Sequence, residues 1–232
     1  MHIFTALSFA VGMAVALPAG QAPDSTIAAR QFSRGATRND LEDGGTCPKV
    51  IFVYARATGE AGNLGVLGGP IGSALESEYG AGNVWVQGVG GPYNAGVAGN
   101  MQADGAPPDA INEMVRLLGK ASEDCPEATI VAGGYSQGSA LAAAAVRDSS
   151  SDVKPKIAGV VLFGYTKNQQ NDGGIPDFPT DRVKVFCNQG DAVCNGSLMV
   201  TFAHLRYQSS ARGPAAEYLV SMINGAGGAG AA

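Results

Sequence analysis

Five short runs of apolar, largely β-branched residues recur along the chain: Val50-Ile-Phe-Val-Tyr54, Val84-Trp-Val-Gln-Gly-Val89, Thr129-Ile-Val-Ala132, Ile157-Ala-Gly-Val-Val-Leu-Phe163 and Val183-Lys-Val-Phe186. Their hydrophobicity is continuous rather than alternating, which predicts strands covered on both faces and so a parallel sheet at the centre of the molecule. The intervening segments 67–79, 108–122 and 139–148, and a last one at 214–224, have helical character. In the second of these, Ile111, Met114, Val115 and Leu118 fall at i, i+3, i+4 and i+7, one face of a helix. Strand-helix alternation of this kind predicts the α/β class: a doubly wound, mostly parallel five-stranded sheet inside a three-layer α/β/α sandwich. Ligands in such sheets bind beyond the carboxyl ends of the strands, so the residues just after each run carry the chemical interest.

One of those ends is distinctive. In Thr129-Ile-Val-Ala-Gly-Gly-Tyr-Ser-Gln-Gly138 the β-branched run breaks at glycines around Ser136 and then becomes an alanine-rich helix. Gly134-Tyr-Ser136-Gln-Gly138 fits the G-x-S-x-G elbow, in which a strained strand-to-helix turn lifts the serine hydroxyl clear of the sheet. The turn also leaves the Gln137 N–H at a helix N-terminus, where a developing oxyanion could accept from it. Histidine narrows the reading further. The chain has two, and His2 lies in a segment read below as a signal peptide, which leaves His204 as the base. Between serine and histidine stands Asp191, in Cys187-Asn-Gln-Gly-Asp-Ala-Val-Cys194. The order Ser136, Asp191, His204 is that of the α/β-hydrolases and differs from the chymotrypsin and subtilisin orders.

At 232 residues, 45% hydrophobic and 15% charged, the chain suits one globular domain, set here at 31–224. Residues 1–16 read as a secretory signal, with an apolar core at Ile3–Val11 and the small-x-small pattern Ala14-Val-Ala16; the run ends at Pro18, too short for a membrane anchor. Residues 17–30 are read as a pro-segment and 225–232 as a disordered Gly/Ala tail, whose literal match to G-x-G-x-x-G has neither a strand before it nor a helix after it. A secreted, extracellular protein with four cysteines is expected to form two disulfides. Cys187 and Cys194, close in sequence around Asp191, are paired, which leaves Cys47 with Cys125 and no free thiol as a rival nucleophile. No C-x-x-C or histidine cluster suggests a metal, no cofactor is expected, and a net charge of −5 argues against nucleic acid. A monomer is expected.

With these residues in hand, the chain resembles the fungal cutinases, small secreted serine esterases of the α/β-hydrolase fold. The resemblance spans about Arg38 to Leu219. It is carried by separated blocks in order: Tyr54-Ala-Arg56, Glu60 with Gly62-Asn-Leu-Gly65, Val84-Trp-Val-Gln-Gly-Val-Gly-Gly91, Gly133-Gly-Tyr-Ser-Gln-Gly138, Leu162-Phe-Gly-Tyr-Thr-Lys-Asn168, Val185-Phe-Cys-Asn188 with Gly190-Asp191, and Ala211-Arg-Gly213. It implies a second oxyanion donor from the loop after the first strand, where cutinases commonly carry serine and this chain has Thr58. It implies Asn100 as the partner of Thr58, and Val97, Leu198, Val200 and Leu205 as an apolar rim that meets the substrate. Core packing is the competing reading of those four aliphatic residues. The chain departs from the family pattern at Ala103-Asp-Gly105 and at Ala203, both near the site.

The implied activity is hydrolysis of cutin-type polyesters and of short to medium acyl esters through an acyl-enzyme. An acetylxylan esterase or a lipase-like carboxylesterase on the same fold are alternatives, as is a secreted surface-binding or host-signalling protein without chemistry. Carbohydrate binding would favour aromatic residues, and the single tryptophan, Trp85, falls in a predicted core strand. Asn195-Gly-Ser197 is the only N-x-S/T sequon, and closure of the neighbouring disulfide is expected to make it poorly accessible.

Overall fold

A computed structural model describes residues 36–229, with side-chain surroundings through 227. The proposed signal peptide, pro-segment and last three residues of the tail lie outside the described residues. Five strands, β1 (Val50–Ala55), β2 (Val84–Gly88), β3 (Thr129–Tyr135), β4 (Ile157–Phe163) and β5 (Val183–Phe186), form one sheet in the order β2-β1-β3-β4-β5. Every neighbouring pair is parallel. Helices α1 (Gly68–Tyr79), α2 (Pro108–Asp124), α3 (Gln137–Asp148) and α4 (Ala216–Ala229) cover both faces. On one face, α2 and α3 bury Ile51, Val53, Ile130, Ala132, Val160 and Leu162. On the other, α1 and α4 bury Phe52, Tyr54, Val131, Val161 and Phe163. Among the described residues no helix is long and apolar enough to cross a membrane.

This strand order puts the topological switch between β1 and β3, because the chain leaves β1 toward β2 and leaves β3 toward β4 and β5. Crossover connections diverge there, and a crevice opens at the carboxyl ends of the two strands. Thr58 follows β1 and Ser136 follows β3, so the sheet topology alone brings these two residues to one place.

β3 runs through Gly133 and Gly134 to Tyr135, beyond the β-branched run that marks it in sequence. The two glycines of the elbow owe their identity to backbone proximity. A Cβ on Gly134 would lie 2.1 Å from the carbonyl oxygen of Gly138, and one on Gly138 would lie 2.1 Å from that of Ala55. The first turn of α3 is therefore pressed against the end of β1. Ser139 fastens the same turn to β3 and β4: its hydroxyl oxygen lies 2.7 Å from the Gly134 carbonyl and 2.8 Å from the Phe163 carbonyl, and it accepts from the Phe163 N–H at 3.1 Å.

The edges of the sheet differ from the expectation of strands covered on both faces. In β5, Lys184 is exposed and its neighbours are half-buried, and Trp85 in the edge strand β2 is only partly buried. Edge strands lack a neighbour on one side, so their outer positions meet solvent. The last helix also departs from its expected span of 214–224. Ala211–Ala215 form a π-helical turn containing Pro214, whose missing N–H breaks the normal ladder, and α4 begins only at Ala216. The helix then runs on to Ala229, through glycine and alanine expected to be disordered. Residues 224–227 of this stretch are exposed.

The disulfides join Cys47 to Cys125 and Cys187 to Cys194, at separations of 78 and 7 residues. The first ties the approach to β1 to the end of α2, and the second closes the loop after β5. By loop-closure entropy they contribute about 4–5 and about 2–3 kcal/mol respectively.

Two glycine substitutions separate close approach from simple helix propensity. Gly138→Ala forces a methyl onto the backbone of β1 and should destabilise the protein by about 3 kcal/mol or more. Gly119→Ala, inside α2 with nothing within 4 Å of the added atom, should stabilise it by about 0.5–1 kcal/mol. Urea denaturation of the two variants checks both signs, and equal effects would contradict the account.

Candidate active site

Ser136 occupies the elbow with φ 57° and ψ −119°, a left-handed backbone that costs a non-glycine residue about 1–3 kcal/mol. The conformation is held by the Ser136 N–H, which donates to the Phe163 carbonyl at 2.9 Å, and by the Ser139 N–H, which returns to the Ser136 carbonyl at 3.0 Å. His204 Nε2 lies 2.9 Å from Ser136 Oγ, and His204 Nδ1 lies 2.8 Å from Asp191 Oδ2. The three residues proposed from sequence order thus meet in space, although 68 residues separate the serine from the histidine. Asp191 and His204 are almost completely buried.

Each member is placed by its own local structure. Asp191 caps the short turn Ala192–Asn195, its Oδ1 accepting from the Val193 N–H at 3.0 Å, and the Cys187–Cys194 bond closes this loop. His204 sits in the turn Ala203–Leu205, where Tyr135 donates its hydroxyl to the His204 carbonyl at 2.6 Å. Asn188 links the two loops, donating from Nδ2 to the carbonyls of Ala203 at 2.9 Å and Arg206 at 3.0 Å. Tyr207 donates to Asp191 Oδ2 at 2.5 Å. Sequence reasoning did not find Tyr135 or Tyr207 as site residues: Tyr135 is an unspecified position of the elbow motif and Tyr207 lies outside any motif, so neither carries a local signal of what its hydroxyl meets.

Thr58 Oγ1 accepts from Asn100 Nδ2 at 3.0 Å and from Gln137 Nε2 at 3.2 Å. The remaining hydrogen on each amide is also used, Asn100 donating to the Val97 carbonyl at 3.2 Å and Gln137 to the Gly96 carbonyl at 2.9 Å. A hydroxyl that already accepts two bonds has its own proton to give, so Thr58 is set up as a donor. The Asn100 contact follows the sequence expectation. The Gln137 side chain is an addition: sequence reasoning used only its N–H, yet its amide braces Thr58 as well.

Glu60 anchors the loop that carries Thr58. Its Oε2 accepts from the Ala57 N–H at 2.7 Å and its Oε1 from the Val66 N–H at 3.1 Å. Burial pushes the Glu60 carboxyl above the usual carboxylate range, against the opposing pull of these two N–H groups and of Arg56. Burial likewise holds the Tyr135 and Tyr207 phenols above their usual range.

These groups line a cleft of about 530 Å³ that contains Thr58, Asn100, Ser136 and His204 among its walls. Val97, Leu198, Val200 and Leu205 also line it, and all four are exposed, so they are not core residues. Met101, Met199 and Phe202 extend the exposed apolar surface beside them. Asn195 is exposed too, so the neighbouring disulfide does not bury the sequon. Among the described residues no group of three or more His, Cys, Asp or Glu is arranged to hold a metal.

Comparison with known proteins places this geometry. The cutinase family model matches residues 46–223. A protein of Fusarium vanettenii named cutinase 2 is 51% identical over 225 residues, covering 96% of this chain and 97% of its own. A Trichoderma reesei cutinase solved with a C11Y4 phosphonate inhibitor superposes with a TM-score of 0.72 at 29% identity, covering 85% of this chain and 84% of its own. An acetylxylan esterase shares the fold, with a TM-score of 0.61 at 17% identity over 77% of this chain and all of its own. With the model matching most of its length and a relative identical at half of its positions, the chain belongs to the cutinase family of serine ester hydrolases.

Proposed function

We propose that the protein is a secreted, monomeric esterase that cleaves cutin-type polyesters and short to medium acyl esters, with Ser136 as nucleophile, His204 as base and Asp191 as its orienting acid. The observation that carries the reading is the continuous bridge from Ser136 Oγ through the His204 ring to Asp191, with contacts of 2.9 and 2.8 Å. As Ser136 Oγ attacks the ester carbonyl carbon, its proton passes to His204 Nε2, and Asp191 stabilises the imidazolium that forms. Negative charge collects on the former carbonyl oxygen. The N–H groups of Thr58 and Gln137 and the Thr58 hydroxyl receive it, one such donor being worth ~3–4 kcal/mol. Collapse of the tetrahedral intermediate breaks the bond to the alcohol oxygen, which leaves with the proton from His204. Water, deprotonated by the same histidine, then attacks the acyl-enzyme, and a second collapse releases the acid and restores Ser136.

The exposed rim is aliphatic apart from Phe202, whose ring the Arg206 guanidinium covers at 4.0 Å, which supports acyl chains and polyester surfaces over acetylated carbohydrate, since stacking on sugar rings calls for open aromatic faces. The two disulfides support an oxidising, extracellular setting.

Ser136→Ala should reduce hydrolysis of p-nitrophenyl butyrate to background while thermal unfolding stays within a few degrees of the parent; substantial residual turnover would refute the nucleophile. Thr58→Val, which keeps the shape and removes the hydroxyl, should lower kcat roughly 100- to 1000-fold with KM little changed. A Thr58→Val effect confined to KM would remove the hydroxyl from the oxyanion site.

Selective reduction of Cys187–Cys194 should lower activity more than global stability, since the bond closes a short loop that carries Asp191. Paired measurements of turnover and urea midpoint after mild reduction, with peptide mapping of the opened bond, test this.

A further inference from the structure

The Asp191 carboxylate receives three donors: the Val193 N–H on Oδ1, and both His204 Nδ1 and the Tyr207 hydroxyl on Oδ2. Two donors on one oxygen share its charge, so what the phenol draws is not available to the imidazole. Resting on the triad reading above, we propose that Tyr207 is a positioning residue for ester hydrolysis. It fixes the rotation of the Asp191 carboxylate and takes a share of the charge on the oxygen that holds His204.

The geometry gives the phenol a single direction in which to donate. The Asn188 N–H donates to the Tyr207 oxygen at 3.0 Å, which occupies it as an acceptor, polarises it and leaves its proton for Asp191. Burial, with the Asp191 contact, keeps the phenol protonated. Its ring is locked edge-on against Phe163 and Tyr135, each at 5.8 Å between centroids, and against His204 at 6.2 Å and 89°. Tyr207 also stands three residues after His204, so one segment delivers both groups to the same carboxylate oxygen. A side chain serving only to fill space would need none of this orientation, and phenylalanine would serve as well.

The other titratable groups around the pair are few among the described residues. Tyr135 packs on the His204 ring at 5.2 Å, Glu60 faces Tyr135 from the loop after β1, and the guanidinium of Arg206 lies 4.0 Å over the Phe202 ring. Cys194 Sγ lies 3.8 Å from Asp191 Oδ2 but is held in its disulfide and does not titrate. All of these remain in Tyr207→Phe, so comparison with the parent isolates the phenol.

The test is the pH dependence of kcat/KM for p-nitrophenyl butyrate in the parent and in Tyr207→Phe. Without the phenol proton the full carboxylate charge falls on His204, the imidazolium is harder to deprotonate, and the acid limb should move to higher pH by roughly half to one unit. At neutral pH kcat should fall roughly tenfold, with KM within about twofold. Lower activity with an unmoved acid limb would reduce Tyr207 to packing, and a limb displaced to lower pH would reverse the sign and overturn the proposal. NMR of the His204 ring protons against pH gives the same comparison in a variant too slow to assay, with the resonances titrating at higher pH than in the parent. That readout needs no turnover, so it separates this inference from the triad reading, which stands or falls on Ser136→Ala.

Discussion

The close approach of α3 to the end of β1 is the constraint on which the site depends. Backbones can meet at about 2 Å from an imagined Cβ only where no side chain intervenes: Gly138 leaves that space against Ala55 at the end of β1, and Gly134 leaves it for the Gly138 backbone on the other side of Ser136. Beside this close approach Ser136 takes φ 57°, and Gln137 opens the helix with its side-chain amide on Thr58 Oγ1 at 3.2 Å. Strain at the serine is tolerated because the turn is held from both sides, by the Phe163 carbonyl on the Ser136 N–H and by Ser139 beneath it. Strand order and this packing together bring Thr58, Ser136 and Gln137 to one place without any motif linking Thr58 to Ser136.

A second constraint is the burial of charge. Asp191 is taken almost entirely out of water, which would be costly for an unpaired carboxylate, and the cost is met by donors placed on both of its oxygens. Those donors come from the loop closed by Cys187–Cys194 and from the segment that carries His204. The groups that make a buried carboxylate tolerable are the ones that fix its direction, so stability and orientation have the same physical source. Glu60 repeats the pattern on the other side of the cleft, where two N–H groups satisfy a carboxyl that holds the Thr58 loop.

Around this rigid polar centre the surface is apolar. Val97, Met101, Leu198, Met199, Val200, Phe202 and Leu205 are exposed in a protein whose charged fraction is only 15%, and five of them line the cleft. Exposed apolar surface is unfavourable in water unless it meets something, and here it borders Ser136. A hydrophobic ester surface would desolvate the rim as it approached Ser136, so that the binding contribution of the rim and the positioning of the carbonyl would arise together.

Most of the framework was legible in the amino-acid order. The five apolar runs became five parallel strands, continuous hydrophobicity marking the three central ones that are covered on both faces, and the elbow was readable because G-x-S-x-G encodes a local steric requirement. The scarcity of histidine singled out His204, and the spacing of cysteines paired Cys187 with Cys194. What sequence did not carry was the partner of a side chain that no motif, cysteine count or family resemblance marks. The Gln137 amide reaches Thr58 across 79 residues, and the Tyr207 hydroxyl reaches Asp191 across 16, through contacts that exist only once β1, β3 and the last loops are assembled. Exposure was decided in the same way: the aliphatic residues at 198–205 read as well for core as for rim until the cleft placed them, and the helix continued to Ala229 where composition suggested no structure. Periodicity and local sterics are properties of neighbouring residues, whereas burial and hydrogen-bond partnership are properties of the assembled surface, and only the tertiary structure contains them.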